Sequence, residues 1–438
     1  MERLIIKNFA GIKSLEIDLK SINVLIGPQA VGKSITAKLF FYFKSFFSEI
    51  KKGVENKSSK REIDTDHLNK FMTYFPKESW SEEDFSIEYR INKTFMSVNR
   101  INGRAIKFEY SDDIKNIIKT TRSILKKEKL RLKSRNLMSD LDLSNYDQKF
   151  NELLKDKVSG CSMYNQIFIP AERSFFSNVQ KSIFLFLRDN KQLLDPFLIE
   201  FGFIYESFKS LTNDLFSDKK LKKDKALDKL VSIILDSQYM DNQHIINNIL
   251  NSQYKREKGK DYLIHNDGRK VNLSNASSGQ QEVLPLLIII QILTRISFLG
   301  EASVLYIEEP EAHLSPNAQK MVVKLFARLF NSTKKRVQMI ITTHSPYILS
   351  SFNNLMYAGN LIDEIKENET KVFKVIPQSE IIKPNEVSAY SISSNKKIKS
   401  LIDPETNLIS QNILDDVSND ISIEFGKLLD IEAQPYEN

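Results

Sequence analysis

Gly27-Pro28-Gln29-Ala30-Val31-Gly32-Lys33-Ser34 decides the fold. Before it runs Ser21-Ile22-Asn23-Val24-Leu25-Ile26, a short apolar stretch of the kind that fills the middle of a parallel sheet. After it, Leu39, Phe40, Phe43, Phe46, Phe47 and Ile50 recur at helical spacing within 35–50. Strand, G-x-x-x-x-G-K-[ST], helix is a phosphate-binding turn in its required context, which argues against a chance match. Loop N–H groups and the positive end of the helix face the phosphates. Lys33 adds a point charge near the β- and γ-phosphates, and the Ser34 hydroxyl can ligate Mg²⁺. Gly27, Ala30, Gly32, Lys33, Ser34 and the next residue, Ile35, are the candidate nucleotide contacts.

The 438-residue chain is 41% hydrophobic and 27% charged, enough for a large core and unlike a disordered polymer. Its length suggests two or three structural units. Lys plus Arg number 63 against 56 Asp plus Glu, and the resulting +7 permits nucleic acid without arguing for it. A single cysteine, Cys161, excludes an internal disulfide framework and suits a reducing cytoplasm, the expected location. With five scattered histidines it also excludes a zinc cluster of the finger kind. The opening residues lack a long apolar stretch, so no signal peptide is expected. Residues 283–293 are apolar except Gln291, but they contain Pro285, meet Arg295, and fall short of the about 20 residues a bilayer needs. A buried helix is expected there, and no membrane partner.

Residues 3–9 and 14–19 alternate like paired strands. The stretch 51–83 is polar and Lys/Glu-rich, which suggests a loop or irregular excursion. Residues 85–92, 96–102 and 105–110 look like an antiparallel meander turned by Asn102-Gly103. From Asp112 to about Lys260 the pattern is mainly helical and Lys-rich. A hairpin follows at 262–265 and 270–273, joined by Asn266-Asp267-Gly268. Apolar strands at 304–307 and 337–342 flank a helix that Ser315 caps and Pro316 opens. The expected organisation is α/β. An N-terminal lobe spans 1–111, and a helical insertion spans 112–260, returning to the head near 164–174. A C-terminal lobe spans 261–350, and a small C-terminal extension spans 351–438, completing the fold or docking a partner.

Two further strands end in chemistry. Val304-Leu305-Tyr306-Ile307-Glu308-Glu309-Pro310-Glu311 closes on adjacent carboxylates. Neighbours on a strand face opposite ways, yet at its carboxyl end one acid can reach a metal while the next faces an attacking water. Glu308 is the expected Mg²⁺ partner and Glu309 the general base; an acidic end that merely solubilises a loop is the plainer alternative. Met339-Ile340-Ile341-Thr342-Thr343-His344-Ser345 ends in a histidine. A lone histidine is usually structural, but His344 follows the carboxylate strand after one helix, which places it on a neighbouring parallel strand near the γ-phosphate. Ser277-Ser278-Gly279-Gln280-Gln281-Glu282 precedes the apolar helix and, alone, reads as a cap.

In this order and spacing the set resembles the ATP-binding-cassette ATPases, in particular the branch of structural-maintenance-of-chromosomes and RecF-like heads. Walker A is then 27–34, the signature Ser277, Ser278, Gly279 and Gln280, Walker B 304–309, and the switch histidine His344. The resemblance covers 1–50 and 262–350. It implies a nucleotide-binding head with a two-lobe mixed sheet, ATP and Mg²⁺ as ligands, and ATP hydrolysis. Asn23 and Gln29 also fit, Gln29 as a loop contact. Two departures stand out: Ser277-Ser278-Gly279 replaces the commoner Ser-Gly-Gly, and Glu308 the commoner Asp, which implies a longer or water-mediated metal contact.

Residues 308–314 and Thr343-His344-Ser345-Pro346 further resemble the overcoming-lysogenisation-defect group and its anti-phage relatives. Ile169-Pro170-Ala171-Glu172-Arg173-Ser174 resembles a strand-end motif of that group, which brings in Arg173. Gln166 is the candidate for the family's lobe-coupling glutamine, with a surface glutamine as the alternative. In such proteins the signature of one subunit completes the ATP site of another, implying a homodimer or higher oligomer. Lys126, Lys127 and Lys129, and a second cluster at Lys219, Lys220, Lys222 and Lys223, read as solvated helices or as a DNA- or partner-facing arm. Beyond His344 there is no Asp-x-Asp pair, cysteine or histidine, so no nuclease is expected in this chain. The resemblance therefore implies the ATPase and sensor half of a two-component anti-phage system. It would be similar to the ATPase subunits of PARIS and Septu, with a separate nuclease as effector. A RecF-like DNA-repair ATPase and a non-hydrolysing scaffold compete with it, and a transporter ATPase fits least.

Overall fold

A computed structural model describes residues 2–80, 83–134, 144–158, 165–178, 194–216, 237–296, 302–364, 369–393, 397–410 and 423. Its strands are β1 (Glu2–Phe9), β2 (Ile12–Leu19), β3 (Ile22–Ile26), β4 (Phe85–Ile91), β5 (Thr94–Arg100), β6 (Lys107–Tyr110) and β7 (Asn165–Ile169). They continue as β8 (Gln253–Glu257), β9 (Lys260–Ile264), β10 (Lys270–Asn272), β11 (Ser303–Glu308), β12 (Val337–Thr343), β13 (Val387–Ile392) and β14 (Ile398–Ser400). Three sheets result: antiparallel β2-β1-β4-β5-β6, small β10-β9-β8, and the six-stranded β14-β13-β3-β12-β11-β7. In the last, every pairing is parallel except that of β14.

The apolar runs follow from burial on both faces. Val24, Ile26, Leu305, Ile307, Met339 and Ile341 join one core with the helices Ser278–Ile296 and Pro316–Ser332. Their neighbours Leu25, Val304, Tyr306 and Ile340 face the other way, into a second core with the antiparallel sheet. The helix Lys33–Glu55 fills that second core. Phe43 stacks on Tyr89 of β4 at 5.7 Å, and Phe41 meets Tyr306 of β11 edge-on at 5.4 Å. A buried ion pair crosses the same junction: Lys44 Nζ lies 2.7 Å from Glu2 and donates to Gln338 of β12 at 2.5 Å. The helix that starts at the phosphate loop is thus fixed to both sheets. The apolar run 283–293 lies inside the helix Ser278–Ile296, and among the described residues no helix is long and apolar enough to cross a membrane.

The structure departs from the sequence reading in several places. Within 51–83 the chain is not irregular: Lys60–Tyr74 is a helix started by a Ser59/Glu62 capping box. Only Ile63, His67 and Phe71 of it are buried, a stripe too narrow to stand out as periodicity. The insertion 112–260 holds helices but also β8, while β7 lies where the return to the head near 164–174 is expected, as an edge of the parallel sheet. β13 lies beside β3, so of the two roles expected for 351–438 this part completes the central sheet. Boundaries at 260 and 350 cut β9 and the helix Pro346–Glu364. Cys161 and the cluster Lys219, Lys220, Lys222 and Lys223 lie outside the described residues.

The capped helix encloses a charge group. His67 Nδ1 lies 2.5 Å from Glu49, and Lys70 Nζ 2.9 Å from the other Glu49 oxygen. Burial pushes the imidazole pKa down, against the pull of Glu49, and Nε2 is buried without a hydrogen-bond partner. Burial opposes ionised Glu49, but His67 and Lys70 outweigh it and bring the carboxyl down to about 2. A carboxyl lowered by folding adds stability above its unfolded pKa and loses it as pH falls through the folded one. Urea unfolding from about pH 5 to about pH 2 should therefore show stability falling in the wild type and falling less in Glu49→Gln. Parallel curves for the two proteins would contradict the pairing.

Candidate functional site

β3 delivers the chain into a loop with two positions closed to side chains. A Cβ on Gly27 would lie 2.2 Å from the Ile392 carbonyl oxygen of β13, and one on Gly32 2.7 Å from the Ile12 side chain. Gly32 (φ 105°) and Ala30 (φ 61°) are left-handed, the geometry that turns backbone N–H groups into an anion-binding concavity. Thr36 N–H donates to Gly32 at 3.0 Å, so the helix opens onto the loop. Lys33 Nζ donates to the carbonyls of Gly27 (2.8 Å) and Pro28 (2.7 Å) and lies 3.2 Å from His344 Nε2. Burial pushes the Lys33 ammonium pKa down, against the opposing pull of Glu309 and Glu311. Ser34, Ile35 and Gln29 sit beside it, with Gln29 exposed. Asn23 is not at the loop surface. It is fully buried and bonds Lys20, Met339 and Ser388, pinning β3 to β12 and β13.

β11 and β12 end level with the loop, since Glu308 pairs with Thr342 and Thr343 with Ile26 of β3. Glu308, the last residue of β11, is buried, and its Oε2 accepts the Ala171 N–H at 3.4 Å. Glu309 leaves strand geometry at φ 43°, so the two adjacent carboxylates serve different partners. Glu309 Oε1 lies 3.3 Å from His344 Nε2. Burial pushes the Glu308 carboxyl up, despite Lys38, Ser34 and the Ala171 N–H. Its Oε1, and Thr342 Oγ1 opposite, are buried without hydrogen-bond partners. An orphaned carboxylate oxygen beside the loop serine fits a divalent cation held by Ser34 and Glu308. Among the described residues no group of three or more His, Cys, Asp or Glu could hold a metal.

Ser277 and Gln280 cap the helix Ser278–Ile296 reciprocally, at 3.1 and 3.4 Å. Ser277 and Ser278 are exposed. A Cβ on Gly279 would lie 2.6 Å from the His313 carbonyl oxygen, so this helix start passes tightly against the loop after β11. Arg173 is wholly buried beneath the site rather than facing it. Its Nη1 donates to Pro170 (2.9 Å) and Glu308 (2.7 Å), Nη2 to Glu309 (3.0 Å), and Nε to Glu282 (3.0 Å), all backbone carbonyls. The Glu282 carboxylate accepts the N–H groups of Arg173 and Ser174, each at 2.9 Å, and pairs with the guanidinium at 3.2 Å.

Gln166 is not part of this cluster. It accepts the Tyr306 hydroxyl at 2.6 Å and pairs in register with Val304, four residues and roughly 13 Å before Glu308, at the wrong end of the sheet. Sequence reasoning missed Glu282 and Glu311 as site residues. The signal for Glu282 was its place directly before an apolar run, where a buried charge must find a counter-charge. Arg173→Met should cost about 3–5 kcal/mol in urea unfolding, because Glu282 is left charged and buried. Adding Glu282→Gln should recover part of that loss, and a cost below about 1 kcal/mol for Arg173→Met would refute the brace.

Residues 22–350 match the protein family described as "AAA domain, putative AbiEii toxin, Type IV TA system". Over 100 residues the chain is 36% identical to Endonuclease GajA of Bacillus cereus (strain HuB5-5), a match spanning 19% of this chain and only 14% of that protein. Among solved structures it is similar to an SMC head bound to the C-winged helix domain of ScpA, at 10% identity and a TM-score of 0.41, covering 91% of this chain and 96% of that one. The SMC head domain from Thermotoga maritima gives 10% identity and a TM-score of 0.33 over 80% of this chain and 90% of that one. The recombination mediator protein RecF-ATPrS of the RecFOR pathway gives 12% and 0.33 over 91% and 97%. The family match runs from β3 past His344 and takes in most of the chain, which therefore belongs to this AAA-domain family.

Proposed function

We propose that this chain is an ATP hydrolase of the ATP-binding-cassette kind, working as a switch. The observation that carries the reading is convergence: Lys33 Nζ and the Glu309 carboxylate lie 3.2 and 3.3 Å from the same His344 nitrogen, at the ends of three adjacent parallel strands. The triphosphate would lie along 27–34, with Lys33 turning from its own loop carbonyls to the β- and γ-phosphates. Glu309 would take the proton of the attacking water, and His344 would stand at the γ-phosphate. Mg²⁺, held by Ser34 and Glu308, would neutralise phosphate charge when bound.

The exposed tip at Ser277 and Ser278, whose helix N-terminus suits an anion, supports a homodimer in which each copy closes the other's ATP site. Hydrolysis would release the clamp and so signal to a separately encoded effector, a nuclease in the reading we favour. The similarity of one segment to an endonuclease is in keeping with an ATPase module that works beside nuclease chemistry. A RecF-like DNA-repair role is the second reading. A cavity of about 550 Å³ whose lining includes Lys57, Arg122, Lys126 and Lys129, beside Glu62 and the apolar Val54, Leu125 and Leu130, is in keeping with it.

Phosphate release and solution mass with Mg-ATP test the first reading. Glu309→Gln should lose at least about 100-fold in turnover, still bind ATP, and accumulate as a nucleotide-dependent dimer. Unchanged turnover would remove Glu309 as the base. A mass that ignores nucleotide would exclude the ATP-driven sandwich.

A further inference from the structure

The Glu311 carboxylate belongs to neither the phosphate loop nor the Ser34–Glu308 pair, yet it ends in the middle of the site. Its Oε1 accepts two hydrogen bonds, from the Thr343 hydroxyl at 2.7 Å and from the His344 N–H at 2.6 Å. Its Oε2 is buried without a hydrogen-bond partner. Thr343, fully buried, in turn accepts the Ser345 N–H at 2.9 Å. One carboxylate, projecting from the loop just beyond Glu309, therefore grips the last residue of β12 and the two that follow it, Thr343 and His344 directly and Ser345 through Thr343. That loop is itself anchored: Glu309 N–H donates to Thr342 at 2.9 Å, and Leu314 N–H to the Glu311 carbonyl at 2.9 Å.

We propose that Glu311 is the positioning residue of His344, clamping the backbone that carries the imidazole so that Nε2 stays between Lys33 and Glu309. The proposal rests on the hydrolase reading above. Two bonds to one oxygen, from a side chain and from the backbone, hold the turn at two points. Because the Glu311 side chain leaves the same loop as Glu309, the general base and the histidine move together. Three neighbouring acids then divide the labour: Glu308 for the cation, Glu309 for the water, Glu311 for the histidine. The tight coupling also explains why the loop keeps two left-handed residues, Glu309 (φ 43°) and His313 (φ 58°), which aim alternate side chains at different partners.

The test is a double-mutant cycle on kcat and KM for Mg-ATP, with the full chain, using Glu311→Ala, Glu311→Gln, His344→Ala and the Glu311→Ala/His344→Ala pair. Glu311→Ala should lower kcat at least about 10-fold with KM within about threefold. Glu311→Gln, whose amide oxygen can still accept both bonds, should stay within about threefold of wild type. In the His344→Ala background, Glu311→Ala should add less than about twofold. An equal loss in both backgrounds, or a Gln variant as poor as Ala, overturns the positioning role while leaving the hydrolase reading intact. If Glu311→Ala does not fold, Thr343→Val removes one of the two donors and enters the same cycle with the same expected non-additivity. A wild type that binds Mg-ATP yet releases no phosphate overturns the hydrolase reading, and this role with it.

Discussion

One guanidinium shut away from water sets the geometry of the site. Arg173 donates to backbone carbonyls at the ends of β7 and β11 and in the helix Ser278–Ile296, and pairs with Glu282 on that helix. A buried cation is costly unless every donor is met. Burial pushes its pKa down, while Glu282 and then Glu311, Glu308 and Glu309 hold it up. The elements that meet its donors are therefore fixed relative to one another. The start of the helix Ser278–Ile296 cannot drift from the carboxylate loop without stranding that charge. The tight passage of Gly279 against His313 is the local consequence.

Above this brace, the parallel register of β3, β12 and β11 does the aligning. Level strand ends bring Lys33, His344 and the two glutamates to one place, and the left-handed turn at Glu309 lets neighbouring acids diverge. Three buried oxygens there lack partners: Glu308 Oε1, Glu311 Oε2 and Thr342 Oγ1. Elsewhere in a folded core such atoms are costly. At the 27–34 loop these three suit the proposed arrangement, in which a cation, its waters and the triphosphate would complete their hydrogen bonding.

Much of this was legible in the chain. The phosphate loop announces itself through Gly27 and Gly32, whose positive φ strains any side chain, and the strands at 304–307 and 337–342 through their mainly apolar runs. What stayed hidden has a common cause. The helix Lys60–Tyr74 buries one narrow stripe, so its only sequence mark is the Ser59/Glu62 cap. Gln166 was misplaced because spacing along β7 does not say which end of a strand faces the site. Glu311 and Glu282 act through contacts between segments far apart in sequence: the apolar run after Glu282 marks it as needing a counter-charge, but nothing in the chain names Arg173 as that partner or Thr343 and His344 as those of Glu311. That Val387–Ile392 joins the central sheet was equally out of reach, since parallel pairing with β3 spans most of the chain.

The most direct measurement is a structure of the protein with Mg²⁺ and a non-hydrolysable ATP analogue. The account predicts the triphosphate along 27–34, its terminal phosphate in contact with Lys33 and His344, and a cation on Ser34 and Glu308. A triphosphate bound elsewhere, with Lys33 still turned onto the carbonyls of Gly27 and Pro28, would contradict it.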